Sequence, residues 1–274
     1  MLFPEPDAFL AEVERIARLG GAQLLKHWRS LAADQISEKA RNDMVTVADL
    51  ASERVIIEAV RSRFPDHRVL SEEAGWSSTA GTGPTWIVDP LDGTTNFVHG
   101  IPQFAVSIGV AVDGRVDFGV IFDPCKNDIF TAARRRGARW NGVPCRVSAH
   151  QRLEGSLLAT GFPFKAHRLL GAYLDIFRDV FLRCKAIRRP GAAALDLAYT
   201  AAGMFDGFFE FQLSTWDTAA GAILIEEAGG VITDMEGGPN YLETGNVVSG
   251  TPGVHRELLE TIQRHRESWH EALR

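Results

Sequence analysis

The apolar run Trp86-Ile87-Val88 leads straight into Asp89-Pro90-Leu91-Asp92-Gly93-Thr94-Thr95-Asn96-Phe97. A core strand that breaks into a loop bearing two carboxylates and two hydroxyls constrains the fold strongly, because those groups must be gathered and neutralised at the end of a buried element. Pro90 stiffens the turn and Gly93 lets the backbone approach a ligand closely, so Asp89 and Asp92 can converge on one point. Two like charges about 4 Å apart at an effective dielectric near 20 repel by roughly 4 kcal/mol. Left alone, such a pair protonates or pushes the chain apart; a hard divalent ion removes the penalty.

The 274 residues, 45% hydrophobic and 23% charged, suffice for one large layered domain or two modest ones. A net charge of −6 without basic runs argues against a nucleic-acid or membrane-surface binder, and it leaves any anionic substrate dependent on cations for entry. The amino terminus lacks a basic segment followed by a long apolar one, and no apolar run reaches the roughly 20 residues of a membrane span, so a cytoplasmic protein is expected. Cys125, Cys145 and Cys184 are widely spaced with no Cys-x-x-Cys, which suggests reduced thiols rather than a disulfide framework or a zinc site.

Apolar spacing predicts a helix over about 7–31, with Phe9, Val13, Ile16, Ala17, Leu24 and Leu25 inward and Asp7 as its N-cap. A second helix is expected over about 46–64, burying Leu50, Ile57, Val60 and Phe64, with Asp49 in its first turn. Residues 104–112 and 115–122 read as strands joined by the hairpin signal Asp113-Gly114. Beyond them, short strands near 156–160, 186–188, 208–211 and 231–234 alternate with helices near 169–183, 191–203 and 216–228. A last helix, about 253–273, places His265 and His270 on a solvated face; residues 77–84 read as a surface loop and 39–44 as a mobile polar segment. The pattern is one unit, 1–274, with an α+β half to about residue 150 built on an antiparallel sheet and an α/β half after it.

Single motifs leave alternatives open. Glu72-Glu73 after Val69-Leu70 fits a solvated strand end as well as a ligand pair, and Asp217 in Trp216-Asp217-Thr218-Ala219-Ala220-Gly221 fits a helix-start carboxylate. Gly191-Ala192-Ala193-Ala194 either permits close packing or offers free N–H groups to an anion.

Taken in order and spacing, these segments resemble the inositol monophosphatase family. The resemblance rests on Trp86 through Phe97 and on Trp216 through Gly221 leading to Glu227-Ala228-Gly229-Gly230. Val45-Thr46-x-x-Asp49, Glu72-Glu73, Thr160-Gly161-Phe162-Pro163-Phe164 and Gly245-Asn246 extend it along nearly the whole chain. Ala194-Leu195-Asp196-Leu197-Ala198-Tyr199 and Asp206-Gly207-Phe208-Phe209-Glu210 look most like its bacterial extragenic-suppressor branch.

The resemblance implies an α-β-α-β-α five-layer sandwich, as in the inositol monophosphatase and fructose-1,6-bisphosphatase superfamily. It further implies a lithium-sensitive, magnesium-dependent phosphomonoesterase that hydrolyses inositol-1-phosphate by attack of a metal-activated water. One ion would use Glu72, Asp89 and the Leu91 carbonyl; a second Asp89, Asp92 and Asp217; a third, weaker one Glu72 and water. Thr94 with Asp49, and Glu72 as a possible base, would handle the attacking water, while Lys39 would help screen the phosphate. The phosphate would rest on the N–H groups of Gly93 and Thr94, bordered by Leu91 and Asp92, and the polyol would meet Gly191, Ala192, Ala193, Glu210 and Asp217. A small phosphorylated polyol and a second copy of the chain are the implied partners, with no membrane or nucleic acid. Fructose-1,6-bisphosphatase or broad sugar-phosphate activity is the nearest enzymatic alternative, and a mainly non-catalytic place in a larger assembly the non-enzymatic one.

Overall fold

The computed structural model describes residues 5–40, 43–78 and 82–273. In chain order the elements are α1 (Pro6–His27), β1 (Ile36–Ala40), β2 (Asp43–Thr46), α2 (Val47–Arg63), β3 (Arg68–Ser71), β4 (Gly75–Ser78), β5 (Thr85–Asp92), α3 (Thr94–Val98), β6 (Ala105–Val112), β7 (Arg115–Asp123), β8 (Asp128–Ala133), β9 (Gly137–Trp140) and β10 (Val143–Cys145). There follow β11 (Leu157–Thr160), α4 (Leu170–Phe181), β12 (Ala186–Arg188), α5 (Ala193–Ala201), β13 (Gly207–Glu210), α6 (Thr215–Glu227), β14 (Val231–Thr233), α7 (Tyr241–Thr244), β15 (Val247–Gly250), α8 (Pro252–Gln263) and α9 (Arg266–Leu273).

The first half forms an eight-stranded sheet in the order β10-β9-β8-β7-β6-β5-β3-β4, antiparallel except where β3 runs parallel to β5. The second half forms a five-stranded sheet, β12-β11-β13-β15-β14, in which β11 is parallel to both neighbours. Three apolar cores separate five layers. Helices α1 and α2 cover one face of the large sheet through Ile16, Ile56 and Trp86; α5 and α6 fill the space between the sheets through Leu195, Ile223 and Phe130; α4, α8 and α9 cover the small sheet through Tyr173, Leu258 and Trp269. The expected α-β-α-β-α sandwich is therefore the observed architecture. A helix in the middle layer is covered on all sides, so every residue of α5 is buried, and all but Asp196, Tyr199 and Thr200 are alanine or leucine.

The Asp113-Gly114 hairpin forms as expected, with φ of 50° and 80° at its two turn residues, the twist that matches right-handed strands. Elsewhere the details differ. Asp7 is not the N-cap of α1 but lies in its first turn after Glu5, and the helix ends at His27. Leu25 and Leu50 are exposed, at 44% and 52%. Ile57 and Val60 of α2 are buried as expected, beside Ile56, but the first two turns of its inward face are polar: Asp49, Ser52 and Glu53 are buried there because they serve neighbouring loops, Ser52 Oγ donating to the Pro90 carbonyl at 2.9 Å and Glu53 Oε1 accepting from Glu73 N at 3.1 Å and Ala74 N at 2.9 Å. A search for apolar periodicity misassigns such a face.

Residues 75–78 pair with β3 rather than forming part of a loop, and residues 79–81 of the expected 77–84 loop lie outside the described residues. Within 39–44, the described residues belong to the β1–β2 hairpin; Arg41 and Asn42 lie outside them. The last helix is two helices, with Trp269 buried, His265 Nε2 2.8 Å from Asp179 Oδ2, and His270 paired with Glu236; the His270 side chain stays 40% exposed, on the solvated face expected for it, while His265 is largely covered. Strand β15, four residues long, sits between β13 and β14 and has no turn signal strong enough to announce it.

On α8, His255 is buried with its Nε2 2.8 Å from Thr233 Oγ1, and burial lowers its pKa to about 4. Above the ordinary value near 6.5 the ring is neutral in folded and unfolded chains alike. Between 6.5 and 4 only the unfolded chain takes the proton, so stability falls with pH across that window, by up to about 3 kcal/mol from this group. Urea unfolding at pH 7.5 and pH 4.5 should show that loss, and His255→Gln should shrink it; an unchanged difference in the variant would place the acid sensitivity elsewhere.

Candidate active site and metal centre

The site forms where β5 departs from regular pairing. Asp89 faces Ser107 of β6 and Asp92 faces Ala105, so the three steps from Asp89 to Asp92 span two on the partner, a bulge centred on Pro90 and Leu91. The strand thus continues through Asp92 instead of ending at Asp89 as expected. The extra residue turns both carboxylates toward the cleft between the sheets. Gly93 then takes φ of 87°, and a Cβ there would lie 2.9 Å from the Gln103 carbonyl oxygen, so both conformation and space call for glycine.

Each of three aspartates is fixed by one backbone N–H through one oxygen. Asp89 Oδ1 accepts from Leu91 N at 2.9 Å, Asp92 Oδ2 from Ala194 N at 2.8 Å at the open end of α5, and Asp217 Oδ2 from Ser214 N at 2.7 Å at the start of α6. The helix starts that fix Asp92 and Asp217 are the segments the sequence left ambiguous; α5 begins at Ala193, leaving Gly191 and Ala192 as its approach. These residues share a cavity of about 490 Å³ with Glu72, Thr94, Gly191, Ala192, Ala193, Asp196 and Glu210. Six carboxylate side chains line it against Lys165 and Arg189 as the cations among the described lining residues.

Burial dominates their protonation. It pushes Asp92 to about 8, reinforced by the charge of Asp217, Glu210 to about 8 against the pull of Arg189, and Asp217 to about 6. Asp89 is raised well above the carboxylate range by burial and then by Glu72, Asp92 and Asp217. In the absence of cations, protons stand in for positive charge among these acids. Among the described residues no three acidic, histidine or cysteine side chains already close on one point as a finished cage. The donor chemistry nonetheless fits a hard dication: oxygen donors only, one oxygen of each aspartate locked by an N–H with the second left over, and a backbone carbonyl at Leu91.

Asp49 lies behind Thr94, fully buried, as N3 of a capping box. Its Oδ2 accepts from Thr46 N at 2.9 Å and from Thr46 Oγ1 at 2.6 Å, and its Oδ1 lies 3.2 Å from Thr94 Oγ1 as acceptor. Burial raises its pKa to about 6. Thr94 Oγ1 is also 3.1 Å from the Leu91 carbonyl, so its one hydrogen chooses between two acceptors.

Lys39 differs from expectation: the β1–β2 hairpin sets its Nζ 3.1 Å from Glu72 Oε1 and 2.5 Å from Glu73 Oε1, and it is not part of the cavity wall. Glu210 lies against Gly161, where a Cβ would fall 1.8 Å from its Oε1. Two contributors escaped the sequence reading. Asn96 Nδ2 reaches the carbonyls of Gln103 at 2.8 Å and Pro190 at 2.9 Å, tying α3 to the 190–191 approach; its place directly after Thr94-Thr95 was the available signal. Asp196, inside an otherwise apolar helix, was the other.

Residues 6–269 match the model of the inositol monophosphatase family. The chain belongs to that family. Among its relatives, the Nus factor SuhB of Escherichia coli strain K12 is 46% identical over 249 residues, which is 91% of this chain and 93% of the relative. The extragenic suppressor protein SuhB of Bartonella henselae superimposes with a TM-score of 0.90 at 40% identity, covering 93% of this chain and 98% of that one. Inositol monophosphatase from Anabaena (Nostoc) sp. PCC 7120 gives 0.83 at 36% identity, covering 94% and 96%. An inositol monophosphatase fold carrying a phosphatase site is thereby established for the chain, as is its SuhB-like character. Among the described residues, no helix is long and apolar enough to cross a membrane.

Proposed function

We propose that the chain is a magnesium-dependent phosphomonoesterase that releases phosphate from inositol-1-phosphate. The observation that carries this reading is the cluster of three aspartates, Asp89 and Asp92 buried and Asp217 half-buried, each with one oxygen locked by a backbone N–H, facing a cavity beside the α3 amino end. So acidic a cavity repels a phosphate dianion unless cations stand between them.

Glu72, Asp89, Asp92, Asp217 and the Leu91 carbonyl would hold two to three magnesium ions. When bound, these ions neutralise the phosphate and stabilise charge developing in its transfer to water. The N–H groups of Gly93 and Thr94, at a helix opening that has no intrahelical acceptor for them, receive the phosphate oxygens. Thr94 Oγ1 accepts a hydrogen bond from the attacking water while its own proton points to Asp49 Oδ1, which can take it at neutral pH. Glu72, also in the cavity wall, is a second acceptor. Its ion pair with Lys39 holds the 72–73 turn in place, so Lys39 acts on the site through Glu72. The polyol lies along Gly191, Ala192 and Ala193 with two hydroxyls on Glu210, a bidentate arrangement a carboxylate accepts well.

A substrate panel tests this. Inositol-1-phosphate should give the highest kcat/KM among itself, fructose-1,6-bisphosphate, glycerol-2-phosphate and an adenosine bisphosphate; activity should vanish with EDTA, return with magnesium and fall with lithium. A clear preference for the fructose bisphosphate would favour the sugar-phosphatase alternative. Inactivity on every phosphomonoester would sink the enzymatic reading. A second reading rests on the relatives called Nus factor: the same fold serving as a partner in a transcription assembly. A cytoplasmic homodimer completes the proposal, with sedimentation velocity as the check on its mass.

A further inference from the structure

Helix α5, Ala193–Ala201, is buried along its whole length and carries one acid, Asp196. The residue is 1% exposed, and its Oδ1 is sealed from solvent without any hydrogen-bond partner. A carboxyl group in a helix of alanine and leucine is expensive unless something bonds to it. Among the described residues nothing bonds to that oxygen. The nearby cation does not: the Arg189 guanidinium lies over the rings of Phe164 and Phe162, 5.2 and 5.9 Å from their centres. Yet Asp196 is part of the wall of the active-site cavity, together with Glu210.

We propose that Asp196 is a specificity-determining residue whose orphaned carboxyl oxygen takes a hydroxyl of the polyol, beside the hydroxyls on Glu210. The proposal rests on the polyol-phosphatase reading and deepens it. The oxygen is sealed as it stands, but χ2 of an aspartate is a broad torsion, so a partial rotation that turns it from its unbonded position toward the cavity wall costs little and gains a hydrogen bond. The chemistry also suits a hydroxyl. Burial, with the charges of Glu210 and Asp92, raises the Asp196 carboxyl well above the ordinary range, so it carries a proton and can both donate and accept, as a hydroxyl does. Neither property helps with an aromatic or alkyl phosphate, which has nothing to offer at that position.

The test compares wild type, Asp196→Asn and Asp196→Ala on inositol-1-phosphate and on phenyl phosphate, and measures binding of myo-inositol by calorimetry. The ratio of kcat/KM for inositol-1-phosphate to that for phenyl phosphate should fall roughly tenfold or more in the alanine variant, chiefly through KM, with a smaller fall for asparagine. Myo-inositol affinity should drop in parallel. Asparagine keeps the size of the side chain and guards against loss of folding, which thermal unfolding verifies. An unchanged ratio, or equal losses on both substrates with a lowered unfolding temperature, would make Asp196 a structural acid and overturn the proposal. Failure of the polyol reading itself shows separately, in the wild type, as hydrolysis of phenyl phosphate without inositol-1-phosphate turnover or myo-inositol binding.

Discussion

Asp92→Asn lowers kcat/KM by roughly a thousandfold while the protein stays folded, the loss expected when an ion is removed from a two-metal site. The geometry fixes the outcome of the substitution. Asp92 Oδ2 accepts the Ala194 N–H at 2.8 Å, and only the carbonyl oxygen of an asparagine can do the same. Its NH2 group then faces the cavity, where it cannot act as a ligand. The metal-free fold loses little, because burial and Asp217 already hold Asp92 near a pKa of 8, so the side chain is mostly neutral at pH 7 before any ion binds. Thermal unfolding separates these effects. At about a hundredfold excess over its Kd, magnesium stabilises a one-site protein by roughly 2.7 kcal/mol, and most of that increment should be missing in the variant. A variant that keeps the wild-type magnesium shift and activity removes Asp92 from the ligand set.

Thr94→Val gives the second-largest loss, about a hundredfold in kcat, with the magnesium-induced stabilisation retained. Valine preserves the branched shape at the start of α3 but deletes the hydroxyl that lies 3.2 Å from Asp49 Oδ1 and 3.1 Å from the Leu91 carbonyl. Nothing then orients the attacking water or passes its proton to Asp49. The ions keep their carboxylates, so the two variants differ in a measurable way: Asp92→Asn loses both activity and the thermal response to magnesium, Thr94→Val the activity alone. Loss of the thermal response in Thr94→Val would instead assign the threonine hydroxyl to holding the ions. Asp49→Asn should resemble Thr94→Val, since Thr46 N and Oγ1 can still hold its carbonyl oxygen in place.

Much of this site is legible in the chain because its groups sit in short, dense segments. Asp89, Asp92 and Thr94 lie within six residues, and Trp216 through Gly221 delivers Asp217 at a helix start. Local chemistry explains the first three without a tertiary structure, since proline, glycine and paired acids at a strand end admit few arrangements, whereas Asp217 was legible only through the resemblance to the family. The inward polar face of α2 was not legible in the same way. Leu50 reads as core and Ser52 as surface, yet Leu50 is 52% exposed and Ser52 is buried against the Pro90 carbonyl. Hydrophobic periodicity assumes that a helix packs on apolar surface along its whole length; this one does so at Ile56, Ile57 and Val60, while its first turns pack on the loops that build the site. The ion pairs of His265 and His270 were not legible for a related reason, since their acidic partners Asp179 and Glu236 are far away in the chain.

By itself, then, the sequence determined the family, because two long motifs and several shorter ones resemble it in order and spacing, and the five-layer fold and most of the acids that line the cavity followed from that resemblance. The tertiary structure alone decided how they converge. It showed that β5 bulges at Pro90 instead of ending at Asp89, that α5 and α6 offer their first N–H groups to Asp92 and Asp217, and that Lys39 is engaged by Glu72 and Glu73. It also revealed Asp196 as an unpaired acid in the cavity wall. Hydrogen bonds between residues a hundred positions apart leave no periodicity in a sequence; they exist only once two sheets and the helices between them have closed around the same space.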